Sequence, residues 1–175
     1  MDAQSLRGVQ APLKERYRTE PQSALVTLRA RGSLGAERVT CNVETARALV
    51  EAGLHPATGG DGGVVCSGDM LLQALVACAG VTLAAVASAL GILLRGGTVS
   101  AEGMLDFRGT LGIGKDVPVG FQAIRLHFDL DTDASREQVE TLHRLTERYC
   151  VVYQTLKHAP DIAVSMATAD ARDGS

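Results

Sequence analysis

The longest apolar run in the chain extends from Met70 to Leu94 and contains no charged residue. Good helix formers dominate Asp69 to Leu90, and Gly91 follows where glycine commonly ends a helix, so the pattern predicts a helix over 69–90. Its apolar residues do not keep to one stripe. This predicts a helix that is buried on nearly every side.

The same run is long enough to cross a bilayer, which takes about 20 apolar residues. It is rich in Ala and Gly, contains the polar residues Gln73, Thr82 and Ser88, and has no cluster of Lys or Arg at one end. We therefore favour a core helix over a membrane span. Because a chain of 175 residues buries a core of only moderate size, we expect a second copy of the chain to cover part of this helix.

Before this helix, alternating apolar and polar residues predict a hairpin. One strand is expected over Ala24 to Arg31 and the returning strand over Arg38 to Val43, with the turn at Gly32 to Gly35. The segment from Glu44 to Ala52, followed by Gly53, fits a short helix.

After the helix the chain returns to strands and then to a second helix. Ser135 and Gln138 form a capping-box pattern, and apolar residues at helical spacing continue from there to Cys150. We predict a single α+β domain over 1–175, with 1–22 as an N-terminal extension and 170–175 as a loose tail. The remaining predictions are a short helix over Pro12–Tyr17, strands over Thr98–Phe107, Phe121–Asp131 and Asp161–Ala167, and a Gly-rich turn region over Arg108–Gly120.

Composition and charge exclude several functions. A formal net charge of -3 gives no general attraction for nucleic acid or anionic lipid, and 3% aromatic residues leave little for base stacking. The polar N-terminal segment has no apolar core of a secretory signal, so we expect a cytoplasmic protein.

Two motifs that bind phosphates or metals are absent or incomplete. The segment from Gly109 to Asp116, GTLGIGKD, ends in Asp116 where a phosphate-binding loop needs Ser or Thr. The cysteines at 41, 66, 78 and 150 form no CxxC pair, and the histidines are widely separated. We therefore predict no bound metal and no bound cofactor.

Two cysteine-containing segments carry a family resemblance. The first is CSGDMLLQALVAC, from Cys66 to Cys78, and the second is RYCVVYQTL, from Arg148 to Leu156. Their order and separation resemble the OsmC/Ohr family of thiol peroxidases, named after osmotically inducible protein C and organic hydroperoxide resistance proteins. The resemblance covers roughly residues 25–167. It implies an α+β fold with an N-terminal hairpin, a long buried central helix, antiparallel strands, a second Cys-bearing helix and an intertwined homodimer.

The resemblance also implies a function. Cys78 would be the peroxidatic thiol and Cys150 the resolving thiol of an enzyme that reduces small apolar hydroperoxides through a sulfenic acid and a disulfide. An external dithiol would then reopen the disulfide. The alternative is a protein that binds a small apolar ligand without catalysis and whose cysteines line the pocket.

The chain departs from the family pattern near both cysteines. Gly68 stands where hydroperoxide resistance proteins typically carry a Glu, so Asp69 is taken as the catalytic carboxylate, and Val151 stands where a Pro usually follows the second Cys. The cation that supports the thiolate is expected to be Arg31, with Arg29 and Arg38 as alternatives.

Helix geometry limits what Asp69 can do. Nine residues of helix separate it from Cys78 by about 13 Å and half a turn, so the two cannot touch within one straight helix. Asp69 would serve the Cys78 of a second copy, reach Cys78 through a break, or only complement the helix dipole. Cys66, just before the helix, is a rival reactive thiol.

Overall fold

The computed structural model describes residues 31–34, 40–44, 49–112 and 116–166, together with isolated helical positions at 4, 8, 11 and 19. The predicted short helix over 12–17, the strand over 24–30, and the candidate cations Arg29 and Arg38 lie outside these residues. The strands are β1 (Arg31–Leu34), β2 (Thr40–Glu44), β3 (Leu49–Gly53), β4 (Val65–Cys66), β5 (Gly96–Met104) and β6 (Ala123–Asp131). The helices are α1 (Ser67–Leu90), α2 (Phe107–Thr110), α3 (Arg136–Tyr149) and α4 (Val151–Lys157), with a 3₁₀ turn at Pro56–Thr58.

The strands form two sheets, in agreement with the predicted α+β class. Strands β1, β2 and β3 are antiparallel neighbours and β4 pairs in parallel with β3, whereas β5 and β6 form a separate antiparallel pair. Two local predictions before α1 were wrong. The expected turn at Gly32 to Gly35 lies largely inside β1, and the segment expected to be helical ends in strand β3. Pairing of β2 with both neighbours supplies hydrogen bonds that outweigh the weak local preferences of these short segments.

Helix α1 begins and ends close to the predicted residues. Gly91 adopts a left-handed conformation, with a φ of 70°, and its N–H bonds to the carbonyls of Ala87 and Ser88. This conformation strains any residue with a Cβ, which explains why the helix ends at this glycine. By length and composition α1 would be able to cross a membrane. The core helix of a soluble protein can have the same length and composition.

The expectation that α1 is buried on nearly every side is wrong for the single chain. Its buried residues repeat every fourth position and form one stripe, whereas Val81 on another face is 72% exposed. The reason is that β5, α3 and α4 pack against α1 from one direction and leave the other face open. The buried residues are Leu75, Ala79, Leu83 and Ala87.

The core lies where α1 and the chain just after it meet α3. Leu142 of α3 is completely buried and clusters with Leu83, Ala87 and Ile92, and Phe128 and Leu130 of β6 pack against this cluster. The predicted capping box fixes the start of α3, because Ser135 and Gln138 exchange hydrogen bonds between side chain and backbone.

The predicted last strand, Asp161 to Ala167, does not form over 161–166. These residues have no regular secondary structure, and the apolar side chains of Ile162, Val164 and Met166 are more than four-fifths exposed. Alternation by itself does not make a strand, because a strand needs a neighbour for its hydrogen bonds. Residue 167 lies outside the described residues.

Candidate active site

The structure brings Cys78, in α1, together with Cys150, which lies between α3 and α4. Cys78 lies in the middle of α1, partly exposed beside the buried stripe, and Cys150 is only 1% exposed. Both are free thiols that share a side-chain hydrogen bond.

The sequence suggested that Cys150 ends a helix. In the structure it lies between two helices. It follows α3, precedes α4 and has an extended backbone, with φ -73° and ψ 108°. Its N–H bonds to the carbonyl of Thr146 in α3, and its carbonyl accepts the N–H of Gln154 in α4. One extended residue therefore turns the chain while remaining hydrogen-bonded to both helices.

The start of α4 provides backbone donors for the Cys78 sulfur. The first N–H groups of a helix have no acceptor within that helix. Here the backbone N–H groups of Val151 and Val152 act on the Cys78 sulfur and lower its pKa, whereas the Cys150 side chain accepts no capping hydrogen bond from the first turn of α4. The break at Cys150 thus directs these N–H groups at the Cys78 sulfur.

The pKa of Cys78 lies below its ordinary value. Desolvation by burial raises this pKa, but hydrogen bonds from the backbone of Val152, the Cys150 thiol, the backbone of Val151 and the Thr82 hydroxyl lower it by more in sum. Donors of this kind stabilise the thiolate relative to the thiol. Cys78 is therefore the more readily ionised of the two.

The pKa of Cys150 is raised. Burial is the largest cause, and the hydrogen bond to Cys78 and repulsion by its negative charge act in the same direction, against the N–H groups of Tyr153 and Val152. The first proton lost from the pair therefore leaves a Cys78 thiolate that accepts a hydrogen bond from the Cys150 thiol.

A network around Glu147 ties α4 back to α3. The Tyr153 hydroxyl donates to Glu147 Oε1 at 2.8 Å, and the Gln154 side-chain amide donates to the Glu147 carbonyl at 2.7 Å. His143 Nε2 lies 3.8 Å from Glu147 Oε1, and Lys157 Nζ donates to the Tyr153 hydroxyl at 3.4 Å. Sequence reasoning missed this network, because spacings of six and seven residues do not indicate contact unless the helix breaks between them.

A cavity of about 550 Å³ opens beside Cys150. The inward residues of β6 and the buried stripe of α1 make its apolar walls, and the Glu147 network lies along its polar side. The lining includes Leu75, Ala79, Leu126, Phe128, Cys150 and Tyr153.

Asp69 is not brought to the thiol pair within the chain. It lies exposed in the first turn of α1, which continues as unbroken helix through Cys78. Together with Cys66 and His55 it lines a separate cavity of about 340 Å³. Its catalytic role therefore stays a prediction that requires a second copy of the chain.

The other sequence candidates near this end of α1 are also separate from the pair. Cys66 precedes α1 as its N-cap residue, without a side-chain capping bond. A Cβ added at Gly68 would lie 3.5 Å from the Phe121 ring and 3.7 Å from Leu105, so a longer side chain would meet apolar neighbours. Arg31 lies in β1, and its role stays a prediction. In the parts of the chain that the structure describes, no three His, Cys, Asp or Glu residues are grouped to hold a metal.

Comparison with known proteins identifies the family. The sequence model of the OsmC-like protein family matches residues 60–165, which include both members of the thiol pair. The chain belongs to the OsmC-like protein family. A search of curated proteins gives no match.

Solved structures of OsmC-like proteins have the same fold. The chain is similar to an OsmC-like protein from Mycoplasma pneumoniae, with 16% identity and a TM-score of 0.64 over 77% of this chain and 89% of that one. It is also similar to an organic hydroperoxide resistance protein OsmC from Legionella pneumophila, with 18% identity and a TM-score of 0.60 over 77% and 92%. An organic hydroperoxide resistance protein from Elizabethkingia anophelis gives 14% identity and a TM-score of 0.62 over 78% and 91%. At these identities the likeness establishes the fold, and the family includes proteins named for hydroperoxide resistance.

Proposed function

We propose that this OsmC-like protein reduces organic hydroperoxides through Cys78 and Cys150. The observation that carries the proposal is the hydrogen-bonded thiol pair, in which Cys78 has the lowered pKa and Cys150 the raised one. A thiolate is the nucleophilic form of cysteine. Cys78 is therefore assigned as the attacking residue, and Cys150 as the thiol that remains protonated beside it.

The first step oxidises Cys78. Its thiolate attacks the terminal oxygen of the hydroperoxide, an S–O bond forms, the O–O bond breaks, and the alkoxide leaves and takes up a proton to become the alcohol. Cys78 becomes a sulfenic acid. The partial exposure of Cys78 supports its access to a substrate, whereas Cys150 is 1% exposed and protected from direct oxidation.

The second step uses Cys150. Its sulfur attacks the Cys78 sulfenic acid, an S–S bond forms, and the hydroxyl leaves as water with the proton from Cys150. An external dithiol then reduces this disulfide, becomes a disulfide itself and restores both thiols. The proposed reaction consumes hydroperoxide and dithiol in equal amounts and requires no bound cofactor.

We further propose that the active form is a homodimer. The open face of α1 and the tail segment 161–166 expose apolar side chains that a second copy would cover, with Val81 at 72% and Met166 at 92% exposure. A single chain gains free energy by removing such surface from water. Cover over α1 would also enclose the exposed side of Cys78, where the apolar part of a hydroperoxide would bind.

Turnover with purified protein tests the enzymatic proposal. Wild type should consume cumene hydroperoxide when dihydrolipoamide is the reductant, and more slowly consume hydrogen peroxide, which has no apolar group. Cys78→Ser should abolish consumption, and Cys66→Ser, the matched control, should retain it.

Two outcomes would overturn the assignment. If Cys66→Ser abolishes turnover while Cys78→Ser retains it, the residue before α1 is the nucleophile. The cavity of about 550 Å³ favours ligand binding as the second candidate function. If wild type consumes no hydroperoxide but an apolar ligand protects its cysteines from alkylation, that function replaces peroxide reduction.

A further inference from the structure

The turn that carries Cys150 packs against α1 and is tied to α3 by the Glu147 network. Helix α4 has seven residues and none of them is buried. The side chain of Val151, directly after Cys150, is 69% exposed and adds little apolar packing at the start of the helix. The direct links from α4 side chains to α3 are those from Tyr153 and Gln154 to Glu147.

The donors at the thiol pair depend on this anchoring. The N–H groups of Val151 and Val152 reach the Cys78 sulfur only while α4 keeps its angle to α3, because both lie on the far side of the single extended residue Cys150. A change in φ or ψ at Cys150 would swing both N–H groups away together. A bond that fixes the first turn of α4 therefore controls two of the donors to Cys78.

We propose that the Tyr153–Glu147 hydrogen bond is a positioning clamp that holds the Val151 and Val152 N–H groups against the Cys78 sulfur. Tyr153 and Glu147 are positioning residues, since they act on Cys78 through the backbone. That the clamp matters for peroxide reduction rests on the proposed function. That it controls ionisation of Cys78 does not.

The charged and titratable groups near the clamp are few among the described residues. On α3, His143 faces Glu147, and on α4, Lys157 contacts the Tyr153 hydroxyl. Cys150 is the titratable group in contact with Cys78. From β6, apolar residues line the cavity, whereas Arg125, His127 and Asp129 are exposed on the other side of the strand. From α1, Asp69 is in the first turn.

The test compares the ionisation of Cys78 in two Tyr→Phe variants. Tyr153→Phe removes the clamp hydroxyl. Tyr149→Phe is the matched control, because it removes a hydroxyl from Tyr149, which is 57% exposed and lies four residues earlier in the chain. The readout is the rate of iodoacetamide alkylation of Cys78 against pH, followed peptide by peptide by mass spectrometry.

We expect the Tyr153→Phe profile to move to higher pH, because the thiolate loses well-placed donors. The alkylation rate at pH 7 should fall by about threefold to tenfold, a pKa change of up to about one unit, and the rate at high pH should match wild type. Tyr149→Phe should follow wild type throughout. A loss of rate at every pH, or an unchanged profile, would overturn the proposal.

A second pair of variants changes the acceptor. Glu147→Gln keeps a side-chain oxygen for the Tyr153 hydroxyl, so the midpoint of its Cys78 alkylation profile should lie at or slightly below the pH of the wild-type midpoint. Glu147→Leu removes this acceptor and should raise the midpoint. Loss of the Glu147 charge alone would lower the Cys78 pKa, so a rise in Glu147→Leu reports the lost hydrogen bond. An unchanged midpoint in Glu147→Leu would also refute the clamp. Because alkylation is measured and not turnover, absence of peroxidase activity would leave this result intact.

Discussion

The Cys150 thiol, at the break between α3 and α4, donates a hydrogen bond to the Cys78 sulfur in the middle of α1. The bond makes two chemically identical groups unequal. Burial is the largest cause of the raised pKa of Cys150, and this bond raises it further while adding to the backbone donors that lower the pKa of Cys78. This inequality leads to the first two predictions.

Replacing Cys150 should separate the two chemical steps. We expect Cys150→Ser to consume about one equivalent of organic hydroperoxide and then stop, because attack on the peroxide needs only Cys78 whereas disulfide formation needs the second thiol. Dimedone labelling followed by mass spectrometry should find the sulfenic acid on Cys78. Continued turnover by Cys150→Ser at the wild-type rate would show that Cys150 does not resolve the intermediate.

Removing the Thr82 hydroxyl should raise the pKa of Cys78. Thr82 lies one helical turn after Cys78, and its hydroxyl donates to the sulfur and thereby lowers the pKa. Thr82→Val keeps the shape but not the donor, so the pH profile of Cys78 alkylation should shift upward by up to about one unit. Thr82→Ser, the control, should retain the wild-type profile. A Thr82→Val profile identical to that of wild type would show that the Thr82 hydroxyl does not lower the pKa of Cys78.

A charge on the open face of α1 should disrupt the proposed dimer. Wild type should sediment as a dimer at micromolar concentration, and Val81→Glu should shift it toward monomer because a buried unpaired carboxylate is costly. Thr155→Glu, which adds the same charge at an exposed position of α4, should remain dimeric. A monomeric wild type would contradict the dimer, and with it any role of Asp69 at the Cys78 of a second copy.

Truncating the completely buried side chain of α3 should destabilise the fold. Leu142→Ala removes contacts with Leu83 and Ile92 and should lower the free energy of unfolding by about 2–5 kcal/mol. Arg144→Ala, at an exposed position two residues later, should change it by less than about 0.5 kcal/mol. Urea unfolding followed by circular dichroism measures both, and equal effects would place the core elsewhere.

Local signals in the sequence predicted the longer elements well. Helix propensity and Gly91 located α1, the capping box at Ser135 located the start of α3, and alternation located β5 and β6 to within a few residues. These signals act within one or two turns or along one strand, so no distant contact is needed to read them.

Short segments were predicted poorly because their partners decide their conformation. The segment from Glu44 to Ala52 resembles a short helix, but its second half pairs with β2. The tail from Asp161 alternates like a strand, yet over 161–166 it has no regular structure. In both cases the weak local preference is smaller than the energy of gaining or lacking a neighbouring strand.

The sequence by itself identified Cys78 and Cys150 as the candidate pair, through their motifs, and also determined that Asp69 cannot reach Cys78 along one straight helix. Only the tertiary structure decided that Cys150 lies at a break between two helices, that the Val151 and Val152 N–H groups point at Cys78, and that Tyr153 bonds to Glu147. These relationships depend on how α3 and α4 pack against α1. Hydrogen bonds between elements are set by positions in space, which local propensity and residue spacing do not encode.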